Sequence, residues 1–156
     1  MQNYFDHEKL EVYQAELAFL TWLTPLLTKV KASGVTSRTG EVLDQLDRAS
    51  LSALLNTAKG NGRRQRQTRA KFFDDARGSA TECAACLDGL VAKRLCQAED
   101  VNEGKELLLR IVSMLSKLID RFDQRLNEAE GAYGARSEDE DENENENENE
   151  KKKKTT

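Results

Sequence analysis

Phe73, Ala76, Ala80, Cys83, Leu87 and Leu90 recur at intervals of three, four, three, four and three residues. That spacing keeps six apolar side chains on one face of a helix and turns the face toward a neighbour. A strand cannot use the pattern, because its faces alternate at every second residue. One long amphipathic helix therefore spans about residues 63–95, and it needs partners to cover its seam. The mid-helix pair Gly78-Ser79 suggests a point of close backbone packing, since glycine costs a helix interior about 1 kcal/mol against alanine.

Three further segments carry the same period. The first starts near Phe5-Asp6-His7-Glu8, with Asp6 placed to cap the opening turn. It presents Leu10, Tyr13, Leu17, Leu20 and Leu27 on one face, and it ends near Ala32-Ser33-Gly34. Pro25 inside it removes a backbone donor and predicts a bend. The second runs from about Ser37 to Lys59, capped by Ser37 or Thr39, with Leu43, Leu46, Ala53 and Leu54 inward. Small residues crowd it, and Gly60-Asn61-Gly62 closes it. The fourth runs from about Asp100 to Glu130 along Leu108, Ile111, Leu115, Leu118 and Phe122. Leu109, Val112, Met114 and Ile119 widen its apolar face.

Proline occurs once, aromatics make up 6% of the chain, and long β-branched runs are absent, so a sheet is not expected. Long helices with short connections must lie beside their sequence neighbours. The expected fold is all-α, an antiparallel up-down-up-down four-helix bundle over residues 1–132. Residues 133–156 are expected to form a disordered, low-complexity acidic tail. From Ser137 onward nine acidic residues face four lysines and no apolar residue at all, so nothing there can offset the entropy of ordering. The tail carries more than the whole chain's net charge of −4, which leaves the preceding 136 residues at about +1.

Cys83, Cys86 and Cys96 are an odd set without a disulfide framework, as expected of reduced thiols in a cytoplasmic protein. The opening MQNYFDHEKLEVYQ is too charged for a signal peptide, and no apolar run reaches the roughly 18 residues that a membrane span requires. Cys83-x-x-Cys86 lacks the two further soft ligands that zinc needs, and Cys83 falls on the apolar seam. The carboxylates Glu82, Asp88, Glu106 and Asp120 lie on helices that could host two metals. That chemistry uses paired Glu-x-x-His motifs, and the single histidine is His7. Glu82 is expected to hydrogen-bond Ser79 or an arginine, and Trp22 to anchor a core or interface. No catalytic constellation, cofactor site or small-molecule site emerges, and a non-enzymatic protein is expected.

Positive charge gathers at one place. KGNGRRQRQTRAK, residues 59–71, holds Lys59, Arg63, Arg64, Arg66, Arg69 and Lys71 with no acid among them. Two readings are open. Such a cluster can bind phosphates of RNA or DNA, to which the arginine fork is suited. It can instead be a solvated turn whose arginines pair with acidic residues nearby, such as Asp74 and Asp75. No aromatic is interleaved with the arginines, so base stacking is not indicated. The acidic tail can occupy this surface in place of nucleic acid, or merely aid solubility.

The order of these elements resembles a family of bacterial four-helix bundle proteins first noticed as products of intervening sequences inside 23S rRNA genes. Relatives of that family include the accessory variability proteins of diversity-generating retroelements. Leu10-Glu11-Val12-Tyr13-Gln14 matches the family's Leu-x-Val-(Trp/Tyr)-Gln. Asn56-Thr57-Ala58-Lys59-Gly60 matches its Asn-Ile-Ala-Glu-Gly with two changes, and Arg63 and Arg64 stand in its Arg-rich turn. Phe72 and Phe73 precede Gly78-Ser79-Ala80-Thr81-Glu82, which fits its Gly-Ser-x-x-Glu. The resemblance covers about residues 5–128. It implies a homopentamer and, through the retroelement relatives, nucleic acid and a reverse transcriptase as partners, with no established enzymatic activity. Lys59 departs from the pattern's glutamate, and a body of about +1 departs from the strongly basic nucleic-acid-binding relatives.

Overall fold

A computed structural model describes the backbone of residues 2–34 and 36–153. Side chains are described through residue 128, apart from 37, 38 and 125–127. Among these residues the chain is helical with no strand: α1 Glu11–Ala32, α2 Ser37–Asn61, α3 Arg66–Ala92 and α4 Ala98–Lys153. It divides into two compact units, Met1–Asp120 and Arg121–Thr156. The first is a four-helix bundle. The second is the C-terminal stretch of α4, where Phe122 is half-buried and Asp123 and Gln124 are exposed. The expected limit at 132 falls within this second unit. The side chains of the acidic tail, 133–156, lie outside the described residues.

The seam of α3 is buried throughout. Phe73 is 1% exposed, and Ala76, Ala80, Cys83, Leu87 and Leu90 are fully covered. Leu43, Leu46, Ala49, Ala53 and Leu54 of α2 form another part of the core, as do Val101, Leu108, Ile111 and Leu115 of α4. Three contacts record the direction of α2 against α3. Gln45 meets Glu82, Ser52 meets Ser79, and Gly60 meets Phe73. As the α2 partner advances the α3 partner retreats, so the two helices run antiparallel.

Three expectations need correction. The first turn of the chain is a separate 3-10 turn, Asp6–Lys9, and Leu10 is extended before α1 begins. Asp6 caps nothing; it pairs with Lys9 at 3.1 Å. The Glu8 carboxylate holds the turn by accepting the Tyr4 and Phe5 amides at 2.5 and 2.7 Å.

The buried stripe of α1 is Val12, Ala15, Glu16, Phe19, Leu23, Leu26, Leu27 and Val30. Of the five residues expected inward only Leu27 is buried; Leu10, Tyr13, Leu17 and Leu20 are half-buried. The helix carries apolar residues on two adjacent stripes. Choosing the one with more leucines misphased it by about one residue, because packing selects the stripe that fits its neighbours.

The close approaches are also not where they were expected. Gly78 is exposed, and a methyl there would touch nothing. Gly60 lies inside α2, which continues to Asn61. A methyl on Gly60 would stand 3.0 Å from the Phe73 ring and 3.2 Å from Cβ of Phe72. Gly60 is therefore a packing residue rather than a helix breaker.

A methyl at Gly104 of α4 would fall inside the Trp22 ring of α1. Lys29 and Asp100 form an ion pair at 3.6 Å between the same two helices. Replacing Gly104 with alanine must move that indole. Gly104→Ala is expected to lower stability by about 1–3 kcal/mol and to shift the emission of Trp22, the only tryptophan. Unchanged stability and emission would refute the contact.

Candidate nucleic-acid interface

The cations of segment 59–71 are set by the α2–α3 connection. Lys59 sits in the last turn of α2, and Arg63 and Arg64 in the connector. α3 opens at Arg66 rather than at the expected Arg63. All six expected site residues are exposed except Arg69, which is half-buried.

The solvated-turn reading predicted pairing with Asp74 and Asp75. Asp74 is instead taken by Arg77 at 2.6 Å, and Asp75 pairs with Lys71 at 3.6 Å. Arg69 reaches back to the Asn61 amide oxygen at 3.4 Å. Arg63 lies over the Phe72 ring at 5.1 Å from its centroid, and Lys71 over the same ring at 5.9 Å. The side chains of Lys59, Arg64 and Arg66 make no ion pair or hydrogen bond with a described residue.

The first turn of α3 contains no acid, and its N-cap, Gln65, makes no capping side-chain bond. Exposed backbone N–H groups and arginine charge thus converge at one helix end, which raises the local positive potential.

The charges were legible in residues 59–71, but what supports them was not. Phe72 was visible only as part of a motif. In the structure it joins the packing against Gly60 to the cation contacts of Arg63 and Lys71.

Glu16 was missed altogether. It is 2% exposed on α1, accepts the Thr57 hydroxyl at 2.7 Å through Oε1, and leaves Oε2 without a partner. Burial pushes its carboxyl up to about 7, against the opposing effect of the Thr57 bond. A glutamate in an apolar stripe was the available signal, hidden by the misphased reading of α1.

Glu82 is exposed, and its bond is to neither Ser79 nor an arginine. It accepts from the Gln45 side-chain amide, and Arg48 donates to Gln45 at 2.7 Å. Ser79 shares a hydroxyl contact with Ser52 at 3.0 Å. Gln45, Arg48 and Glu82 line an open groove between α2 and α3 that Cys86 also borders. No group of three or more His, Cys, Asp or Glu side chains is placed to hold a metal among the described residues. No described helix is long and apolar enough to cross a membrane.

Cys83 packs in the core, its thiol pushed up to about 12 chiefly by burial. Cys86 and Cys96 are half-buried and also raised, first by burial. A small thiol reagent is therefore expected to titrate Cys86 and Cys96 in the folded protein and Cys83 only on unfolding. Three equally fast thiols would contradict this packing.

Compared with known proteins, the chain matches the family model of the 23S rRNA-intervening sequence protein over residues 8–117. That span takes in α1, α2, α3, the basic connector and the opening of α4 as far as residue 117. No curated protein matches it significantly. The match covers most of the bundle, and the chain belongs to the 23S rRNA-intervening sequence protein family.

Proposed function

We propose that the protein is a non-enzymatic oligomeric bundle that binds RNA through Lys59, Arg63, Arg64, Arg66, Arg69 and Lys71. The observation that carries this reading is the state of Arg64 and Arg66. They stand exposed at an uncapped helix start, with no carboxylate of the described chain neutralising them. Like charge gathered at a positive helix end is costly unless an anion relieves it, and a phosphate backbone supplies that anion in series. The family's description names 23S rRNA, which favours RNA over DNA. The resemblance to retroelement accessory proteins adds a homopentamer and a reverse transcriptase as the partner expected of such an assembly. Five copies about an axis would gather the turns into a basic ring in the cytoplasm. The acidic tail serves solubility in this scheme.

A second reading is a structural or protein-interaction oligomer with no nucleic-acid role. It is favoured by the outward leucines Leu51 and Leu55 of α2 and by Leu109 of α4, which is 69% exposed. Such side chains are more at home in an interface than in water.

A structured RNA titrated against the full chain and against residues 1–136 at several salt concentrations separates the two. Binding is expected to weaken linearly in log–log form. Changing Arg63, Arg64, Arg66 and Arg69 to glutamine should abolish it or reduce the salt slope by about 0.7–0.9 per lost phosphate contact. Absence of binding at low salt by residues 1–136 would overturn the RNA reading. Unchanged affinity in the glutamine variant would move the site elsewhere. Light scattering of the full chain tests the assembly separately, with five copies expected and a monomeric mass contradicting it.

A further inference from the structure

Among the described residues Glu16 is the one carboxylate or cation that is buried. Its neighbours explain what a proton does there. Thr57 of α2 is fully covered and spends its single hydroxyl proton on Oε1 of Glu16. Oε2 has no donor.

The ionisable groups of the surrounding elements are engaged or turned away. In the 3-10 turn, Asp6 pairs with Lys9, Glu8 holds backbone amides, and His7 packs on the Tyr13 ring. On α2, Asp44, Asp47 and Lys59 are exposed. On α3, Arg69 reaches Asn61, and on α4, Asp100 pairs with Lys29. A carboxylate at this place would be a charge with one hydrogen bond and no counter-ion, which a packed interior tolerates poorly. A neutral carboxyl costs far less.

We propose that Glu16 and Thr57 form a proton-sensitive latch between α1 and the C-terminal part of α2. With the carboxyl neutral, the helices close over it. When the proton leaves, the carboxylate draws water in, and the end of α2 loosens together with the connector that follows. Asn61 stands one turn beyond Thr57 and accepts from Arg69, so the loosening reaches the basic turn. The latch stands whether or not that turn binds RNA.

The sign follows from proton binding. The folded chain keeps the Glu16 proton up to about pH 7, whereas the unfolded chain releases it near the ordinary glutamate value of 4.5. Between those values the unfolded state binds fewer protons, so stability falls as pH rises and levels off above about pH 7.

Glu16→Gln keeps the shape and the acceptor oxygen but removes the titration. Urea unfolding of wild type and Glu16→Gln from about pH 4.5 to about pH 8.5 reads the difference. The wild-type folding constant should fall relative to the variant by roughly 150-fold across the window. Amide exchange at residues 54–61, corrected for its intrinsic pH dependence, should quicken above about pH 7 in wild type and stay level in the variant. Thr57→Val removes the donor that favours the charged form and should move the wild-type transition to higher pH. Parallel pH dependences of wild type and Glu16→Gln would overturn the latch, as would a Thr57→Val transition displaced to lower pH. If Glu16→Gln does not fold, the comparison of Thr57→Val with wild type decides alone.

Discussion

Close contact between α2 and α3 is the constraint on which the other features hang. Two helices approach tightly only where small side chains face each other or where a glycine makes room for a ring. Here Ala49 and Ala53 of α2, with Ala76, Ala80 and Cys83 of α3, keep the core between the helices shallow. Gly60 then admits the Phe73 ring at the end nearest the connector. The large side chains Leu43, Leu46, Leu87 and Leu90 fill the opposite end. This gradation sets where α2 must stop and α3 must start, and hence where the six cations stand.

The same contact links core to surface. Phe73 and Phe72 are adjacent in sequence but serve opposite sides. The first is sealed against Gly60, while the second stands half out of the core beneath Arg63 and Lys71. A cation held over an aromatic face loses some side-chain freedom before any ligand arrives, which lowers the entropic cost of a later contact. The cations at this end of the hairpin are thus partly organised by packing, with Arg64 and Arg66 left to meet a partner.

Much of this fold was legible from apolar spacing. All six seam residues of α3 are buried, because a lone periodic stripe leaves no choice of face. α1 was misphased because it has two apolar stripes, and period alone does not rank them. Gly60 and Gly78 show a similar limit. Both interrupt a helical pattern, and only the partner surface tells a packing glycine from an idle one. The cluster of positive charge was plain in residues 59–71, but the choice of Arg77 rather than a turn arginine for Asp74 is a matter of helix register. Glu16 was invisible for the reason that α1 was misread: once the stripe is rotated, the glutamate falls inside it.

Gly60 and Phe73 act as a single packing unit, and a double-mutant cycle measures that directly. Gly60→Ala crowds the ring, Phe73→Leu removes it, and the double variant has room for the methyl. The coupling between the two changes should be about 1 kcal/mol or more, with the second substitution relieving part of the damage of the first. Additive effects would contradict the account, since they would mean that the glycine and the ring do not meet.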